Sequence, residues 1–66
     1  MSIGQRIKEL REELGLSQMA LSNATGISQS AIARWEVCKT EPTASSLYIL
    51  ASFFNESSDY LIGLTD

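Results

Sequence analysis

The sequence predicts an all-α fold, a compact bundle of five short helices. Leucine and alanine dominate the apolar residues of the 66-residue chain, which contains only one valine, and this composition favours helices over strands. Apolar residues recur at spacings of three and four, as on one face of a helix. A serine or threonine stands just before each such segment, where a helix N-cap is expected. A chain this short forms one domain, residues 1–66.

The first helix is predicted to begin after Ser2. Ser2 and Gln5 have the spacing of a capping box, and Gly15 is placed to end the helix with a positive φ. The residues expected to face the core repeat at spacings of four, three and four: Ile3, Ile7, Leu10 and Leu14.

The second and third helices are predicted to begin after Ser17 and Ser28. Each has the spacing of a hydrophobic staple, with an apolar residue before the cap and another at the fourth helical position. The two staples are Leu16 with Leu21, and Ile27 with Ile32. Gly26 lies between the two helices and can adopt a positive φ. Residues 17–36 therefore predict a helix-turn-helix.

The fourth and fifth helices are predicted to follow the loop "KTEPT", residues 39–43, whose proline disfavours a helix interior. Thr43 is placed to cap the fourth helix and Asn55 to end it in a left-handed conformation. Its expected inward face comprises Leu47, Leu50, Ala51 and Phe54. Ser57 is placed to cap the last helix.

The composition argues against most enzyme classes. The chain has no histidine, and Cys38 is its only cysteine, so neither an internal disulfide nor a zinc site of the usual Cys/His kind is expected. A phosphate-binding glycine loop is also missing. We therefore expect no enzymatic activity, no metal and no cofactor. No apolar run approaches the roughly 18 residues of a membrane span, and "MSIGQRIKEL" does not resemble a signal peptide. These features predict a soluble, cytoplasmic protein.

The net charge of −3 is unevenly distributed. All five basic residues lie within residues 1–40, together with four acidic residues, whereas residues 41–66 contain four acidic residues and no basic one. This asymmetry allows a local phosphate-binding surface on an acidic molecule. An ordinary solvated acidic surface is the alternative interpretation.

Four segments in order resemble the lambda-repressor/Cro-like (XRE-type) family of helix-turn-helix domains. They are "IGQRIKELREELGLSQ", "GISQSAIARWE", the loop "KTEP" and "LASFFNESSDYLIGL". The similarity extends from about Ile3 to Leu64. It implies a lambda-repressor-like fold and sequence-specific binding of double-stranded DNA by a transcriptional regulator of the phage- or bacterial-repressor type.

The resemblance identifies helix 28–36 as the recognition helix, which lies in the major groove. It implies that Gln29, Ser30 and Arg34 contact bases, since a glutamine amide can bind adenine through two hydrogen bonds. An ordinary polar start of a helix is the alternative for Gln29 and Ser30, and a solvated side chain is the alternative for Arg34.

The resemblance also implies contacts with phosphates and one structural pair. The expected phosphate contacts are near helix N-termini or just after the recognition helix: Gln18, Ser28, Lys39 and Thr40. In the family, the residue at the position of Gln18 also steadies the first glutamine of the recognition helix. Arg11 and Glu36 match an ion pair that forms inside the domain. Cys38 occupies a position where the family usually has glycine.

The small number of basic residues favours binding as a homodimer to a palindromic operator. The apolar segment "YLIGL", residues 60–64, is a candidate dimer surface, and core packing is its alternative role. A protein-interaction module, such as an antitoxin-type domain that chiefly binds a partner protein, is the alternative function. The acidic second half of the chain supports that alternative.

Overall fold

The computed structural model describes residues 2–55, which form four α-helices and no strand. The helices are α1 (Ile3–Glu13), α2 (Gln18–Thr25), α3 (Gln29–Glu36) and α4 (Ala44–Phe54). The predicted all-α character is thus confirmed for this part of the chain. The fifth helix predicted after Ser57 and the segment "YLIGL" lie outside the described residues. None of α1–α4 combines the length and apolar character that a membrane span requires.

Each of the four helices begins at the cap that the sequence predicts. In every case the cap hydroxyl accepts a hydrogen bond from the backbone N–H three residues later, at 3.0 to 3.2 Å. The caps are Ser2, Ser17, Ser28 and Thr43. The Ser2 N–H also donates to Gln5 Oε1 at 2.9 Å, which completes the predicted capping box.

Two helices end in the same pair of backbone hydrogen bonds. After α1, Gly15 has a φ of 71°, and its N–H donates to the Glu12 carbonyl while the Leu16 N–H donates to the Arg11 carbonyl. This is a Schellman motif. Gly26 and Asn55 end α2 and α4 with φ values of 79° and 58°, so the positive φ expected at these positions is confirmed.

The second Schellman motif ends α3 and contains Cys38. The Cys38 N–H donates to the Trp35 carbonyl at 3.0 Å, and the Lys39 N–H donates to the Arg34 carbonyl at 2.9 Å. Cys38 has a φ of 63°, although it carries a β-carbon. The residue therefore occupies a conformation in which glycine is favoured.

The core lies between all four helices. α3 packs against α1 and α2, and α2 packs against α4. Each helix contributes one completely buried large side chain: Ile7, Leu21, Ile32 and Leu50. Among residues 2–55, Leu10, Ile27, Trp35 and Ala51 also belong to the core. The predicted inward face of α4 is confirmed, because Leu47 and Phe54 pack against this core from its edge.

The prediction that Leu14 faces the core is wrong, since this residue is 56% exposed. α1 ends at Glu13, and the chain turns at Gly15 immediately afterwards. The Schellman motif brings Leu16 back against the core instead. The helical repeat therefore breaks off one residue earlier than the spacing suggests.

Gly4 has a structural role that the spacing of residues in the sequence does not predict. This glycine is buried, and a β-carbon built on it would overlap the carbonyl oxygen of Trp35. Gly4 therefore allows the first turn of α1 to lie directly against the last turn of α3. This close approach fixes the position of α3 relative to the rest of the domain.

Candidate nucleic-acid interface

Four side chains form a continuous series of hydrogen bonds that links α1, α2 and α3. Arg11 donates to both Glu36 oxygens, from Nε at 2.7 Å and from Nη2 at 2.9 Å. Gln18 Nε2 donates to Glu36 Oε1 at 3.0 Å, and Gln29 Nε2 donates to Gln18 Oε1 at 2.9 Å. We call these four residues the polar chain. It connects the buried interior to the first turn of α3.

Arg11 and Glu36 form the interior end of the polar chain. Both residues are buried. They form a bidentate ion pair, in which two guanidinium N–H groups donate to the two carboxylate oxygens, and this geometry is a strong one. Arg11 Nη1 also donates to the Leu16 carbonyl at 2.6 Å. With its donors directed at groups inside the domain, Arg11 has a structural position. It is not placed to contact a base.

The environment keeps both members of this pair charged. Burial opposes ionisation of Glu36, but the hydrogen bonds from Arg11 and Gln18 outweigh it and lower the pKa of the carboxyl below its ordinary value. The hydrogen bond with Glu36 raises the pKa of the Arg11 guanidinium above its usual value. Glu36 is therefore a carboxylate at neutral pH.

The carboxylate determines how the two glutamine amides are oriented. A carboxylate only accepts hydrogen bonds, so Gln18 must direct its NH₂ group towards Glu36. The Gln18 carbonyl oxygen then faces α3 and accepts from the NH₂ group of Gln29. Gln29 therefore presents a second N–H and its carbonyl oxygen to a ligand, in one defined orientation.

An exposed stripe on α3 continues from this turn. Ser30, Arg34 and Val37 are all exposed and follow one another at the i, i+4 and i+7 positions of one helix face. Ile32 and Trp35 lie on the buried side. Val37, the C-cap of α3, is 65% exposed and was not among the predicted site residues, although its seven-residue spacing from Ser30 indicates the same face.

The residues expected to contact phosphates lie around α3. Gln18 is half-buried at the first position of α2, and Ser28 is exposed at the cap of α3. Lys39, the last residue of the Schellman motif that ends α3, and Thr40, the next residue, are both exposed. Contact of these four residues with phosphate stays a prediction, as does contact of Gln29, Ser30 and Arg34 with bases.

The link between Gln18 and Glu36 had no signal in the sequence. The two residues are separated by 18 positions and lie on different helices. Only the packing of α2 against α3 brings them together. This hydrogen bond connects the ion pair to the residue expected to contact a base.

The chain matches known proteins over nearly its whole length. A family model described as helix-turn-helix matches residues 7–61. The chain belongs to this helix-turn-helix family. The match confirms the resemblance to XRE-type domains that the sequence indicates.

Two curated relatives illustrate the similarity. The repressor protein C2 of Salmonella phage P22 is 38% identical over 60 residues, which are 91% of this chain and 28% of that protein. The HTH-type transcriptional regulator ImmR of Bacillus subtilis (strain 168) is 32% identical over 63 residues, 96% of this chain and 50% of that regulator. The chain therefore spans half or less of the length of these relatives.

A solved structure has the same fold. It is a crystal structure of the P22 c2 repressor in complex with a synthetic operator in the presence of Tl⁺. The TM-score is 0.87 at 37% sequence identity, and the superposition covers 94% of each chain. The fold of that repressor's operator-binding chain is thus shared by this protein.

Proposed function

We propose that this chain is a sequence-specific DNA-binding transcriptional regulator, acting in the cytoplasm as a repressor of the phage or bacterial type. α3 is its recognition helix and lies in the major groove of double-stranded DNA. The observation that carries this proposal is the oriented amide of Gln29 in the first turn of α3, supported by Gln18 and Glu36.

The fixed amide is suited to recognition of adenine. Adenine offers N7 as an acceptor and its N6 amino group as a donor in the major groove. Gln29 uses one N–H to bond Gln18 and retains the other N–H and its carbonyl oxygen. These two groups match the two groups of adenine. Because the orientation exists before binding, little side-chain entropy is lost on contact.

Ser30 and Arg34 extend the contact along the exposed face of α3. A serine hydroxyl donates or accepts and so contacts several bases, whereas an arginine binds guanine O6 and N7 with two hydrogen bonds. Arg34 lies one helical turn beyond Ser30. We propose that both contact base edges, next to the base pair that Gln29 recognises.

The phosphate contacts would fix the position of α3 in the groove. Gln18 and Ser28 lie at the starts of α2 and α3, where N–H groups without intrahelical partners and the helix dipole favour an anion. Lys39 and Thr40 would contact phosphates beyond the far end of α3. Glu36, the acidic residue of α3, is neutralised by Arg11 and so opposes this attraction little.

The relatives support the same proposal. One protein named as a repressor and one named as a transcriptional regulator each align with most of this chain. The structural neighbour is a repressor bound to operator DNA. We propose that two copies of this chain bind the two halves of a palindromic operator, as the two-fold symmetry of a homodimer requires.

Selection of binding sites from randomised DNA duplexes tests this function. We expect enrichment of a palindrome with an adenine in each half-site that Gln29 contacts. The Gln29→Ala variant should therefore no longer enrich adenine at that position. Asn23→Ala is the matched control, because it removes an exposed amide from α2 and not from α3. This variant should enrich the same palindrome as the unmodified chain. No enrichment by the unmodified chain would favour a module that binds a partner protein.

A further inference from the structure

The hydrogen bonds of the polar chain run in one direction. Gln29 donates to Gln18, Gln18 donates to Glu36, and the Glu36 carboxylate has no proton to donate further. Arg11 donates to both carboxylate oxygens and holds them in place. The side chain of Glu36 is only 3% exposed, so it does not contact DNA itself. Any influence of Glu36 on a bound base must therefore pass through the two glutamines.

The opposite direction of these hydrogen bonds is blocked at Glu36. If the Gln29 amide alone were turned over, its carbonyl oxygen would face the Gln18 carbonyl oxygen. If both amides were turned over, the Gln18 carbonyl oxygen would face a Glu36 oxygen at the 3.0 Å that now separates donor and acceptor. Two acceptors at this distance have no hydrogen between them, and the loss of a hydrogen bond to a buried charged group is costly. Only one orientation of the Gln29 amide avoids such a contact.

The two orientations of the Gln29 amide would recognise different purines. In the observed orientation Gln29 retains one N–H and its carbonyl oxygen, which match N7 and the N6 amino group of adenine. Guanine has acceptors at both places, N7 and O6, so its O6 would face the Gln29 carbonyl oxygen without a hydrogen between them. In the opposite orientation Gln29 would present two N–H groups, which match the two acceptors of guanine.

We propose that Glu36 is a positioning residue that makes α3 exclude guanine at the base pair that Gln29 contacts. Glu36 acts through Gln18, so the ion pair with Arg11 has a role in base selection besides joining α1 to α3. This inference rests on the proposed function of α3 and deepens it. It assigns the choice between the two purines to a carboxylate in the interior of the domain.

Gln18→Lys tests the direction of the hydrogen bonds. An ammonium group only donates, so it can still bond Glu36, but Gln29 must turn its carbonyl oxygen towards it and release both N–H groups. The measurement is the affinity for the selected operator and for the same operator with that adenine–thymine pair replaced by guanine–cytosine. We expect the unmodified chain to favour adenine by roughly tenfold or more. Gln18→Lys should favour guanine.

Two further variants separate this effect from added charge and from loss of the Gln18 amide. Gln18→Met keeps the length of the side chain but provides no strong donor or acceptor, so Gln29 turns freely and the preference for adenine should disappear. Asn23→Lys adds the same charge at an exposed position of α2 and should keep the preference for adenine. An adenine preference that persists in Gln18→Lys would overturn the proposal, as would equal affinity of the unmodified chain for the two duplexes.

Glu36→Gln tests the carboxylate itself. An amide at this position donates as well as accepts, so Gln18 is no longer held in one orientation and the ratio of the two affinities should fall. Circular dichroism at low temperature establishes the folded fraction, and Gln18→Lys decides the question if this variant does not fold. A purely structural role of Glu36 would weaken binding to both duplexes by the same factor. An unchanged ratio in folded Glu36→Gln would therefore overturn the proposal.

NMR spectroscopy of the free chain tests the direction of the hydrogen bonds without DNA. We expect a scalar coupling across the hydrogen bond from Gln29 Nε2 to the side-chain carbonyl carbon of Gln18, and its absence in Gln18→Met. A coupling from Gln18 Nε2 to the Gln29 carbonyl carbon would overturn the inference. A chain that selects an operator but shows this opposite coupling would contradict only the inference. A chain with the expected coupling that selects no DNA sequence would contradict the proposed function.

Discussion

Cys38 has a backbone conformation that is unfavourable for a residue with a β-carbon. The second Schellman motif requires a left-handed residue after α3, and Cys38 supplies it at a φ of 63°. A β-carbon in this conformation costs roughly 1 kcal/mol. The Cys38 thiol lies 3.1 Å from the Ser2 hydroxyl, a weak contact at an exposed position. This contact offsets little of the free-energy cost of the left-handed conformation at Cys38.

Replacement of Cys38 by glycine should therefore raise stability slightly. Glycine removes the conformational cost, although its greater freedom in the unfolded chain offsets part of the gain. We expect a higher urea midpoint, by up to roughly 1 kcal/mol in unfolding free energy. Cys38→Ala removes the thiol but keeps a β-carbon, so its midpoint should not rise. If Cys38→Gly were clearly less stable, the thiol contact would outweigh the backbone cost.

Glu36 makes stability depend on pH. Its folded pKa lies below its ordinary value of 4.5, so its stabilising contribution is complete above that value and is lost as the pH falls through the folded pKa. Glu36→Gln leaves Arg11 charged and buried without its partner. We expect this variant to lose about 3 kcal/mol at neutral pH.

Urea unfolding at neutral and acidic pH checks this expectation. The difference in unfolding free energy between the unmodified chain and Glu36→Gln should shrink as the pH falls, because protonation removes the same charge from the unmodified chain. Glu9→Gln, at an exposed position of α1, should differ from the unmodified chain by less than about 0.5 kcal/mol at either pH. A pH-independent loss in Glu36→Gln would refute the role of the ion pair.

At the scale of elements, the beginnings and ends of helices were predictable because they are local. A hydroxyl at the cap bonds a backbone N–H only three residues away, so Ser2, Ser17, Ser28 and Thr43 could be identified from sequence alone. The packing of one helix on another is not local. The burial of Gly4 depends on where α3 lies, and the spacing of residues does not contain that information.

The contact of α1 with α3 should be sensitive to one methyl group. In Gly4→Ala the new β-carbon overlaps the Trp35 carbonyl, which belongs to backbone and cannot rotate away. We expect a loss of about 3 kcal/mol, the upper end of the usual cost of overpacking. The measurement is chemical denaturation followed by circular dichroism.

Gly15→Ala provides the comparison for Gly4→Ala. No atom lies within 4 Å of a β-carbon at this position, but the φ of 71° is unfavourable for alanine. We expect a smaller loss of roughly 1 kcal/mol from the backbone alone. A tolerated Gly4→Ala, with a loss no greater than that of Gly15→Ala, would show that the two helices separate easily.

At the scale of the whole molecule, the charges of this acidic chain are distributed unevenly along the sequence. All five basic residues precede residue 41, and the ion pair withdraws the acidic residue of α3 into the interior. The pairing of Arg11 with Glu36, and the support of Gln29 by Gln18, could be expected from the family resemblance. The bond from Gln18 to Glu36 could not, because it joins two helices through tertiary packing.

Lys39 tests the electrostatic part of the proposed function. Lys39→Ala should weaken binding to all duplexes about equally and reduce the slope of log affinity against log salt by about one unit. Lys8→Ala removes the same charge from an exposed position on α1 and should change the slope less. A loss confined to one operator sequence would instead indicate that Lys39 contacts a base.

Base discrimination by Gln29 is the most direct test of the central claim that α3 recognises DNA sequence through an amide oriented by the polar chain. The measurement is the affinity of the unmodified chain and of Gln29→Ala for the selected operator and for its single-base variants. We expect Gln29→Ala to fold normally and to lose roughly 1–3 kcal/mol of discrimination at one adenine, with other positions unchanged. Full retention of base preference at every position in Gln29→Ala would contradict the account.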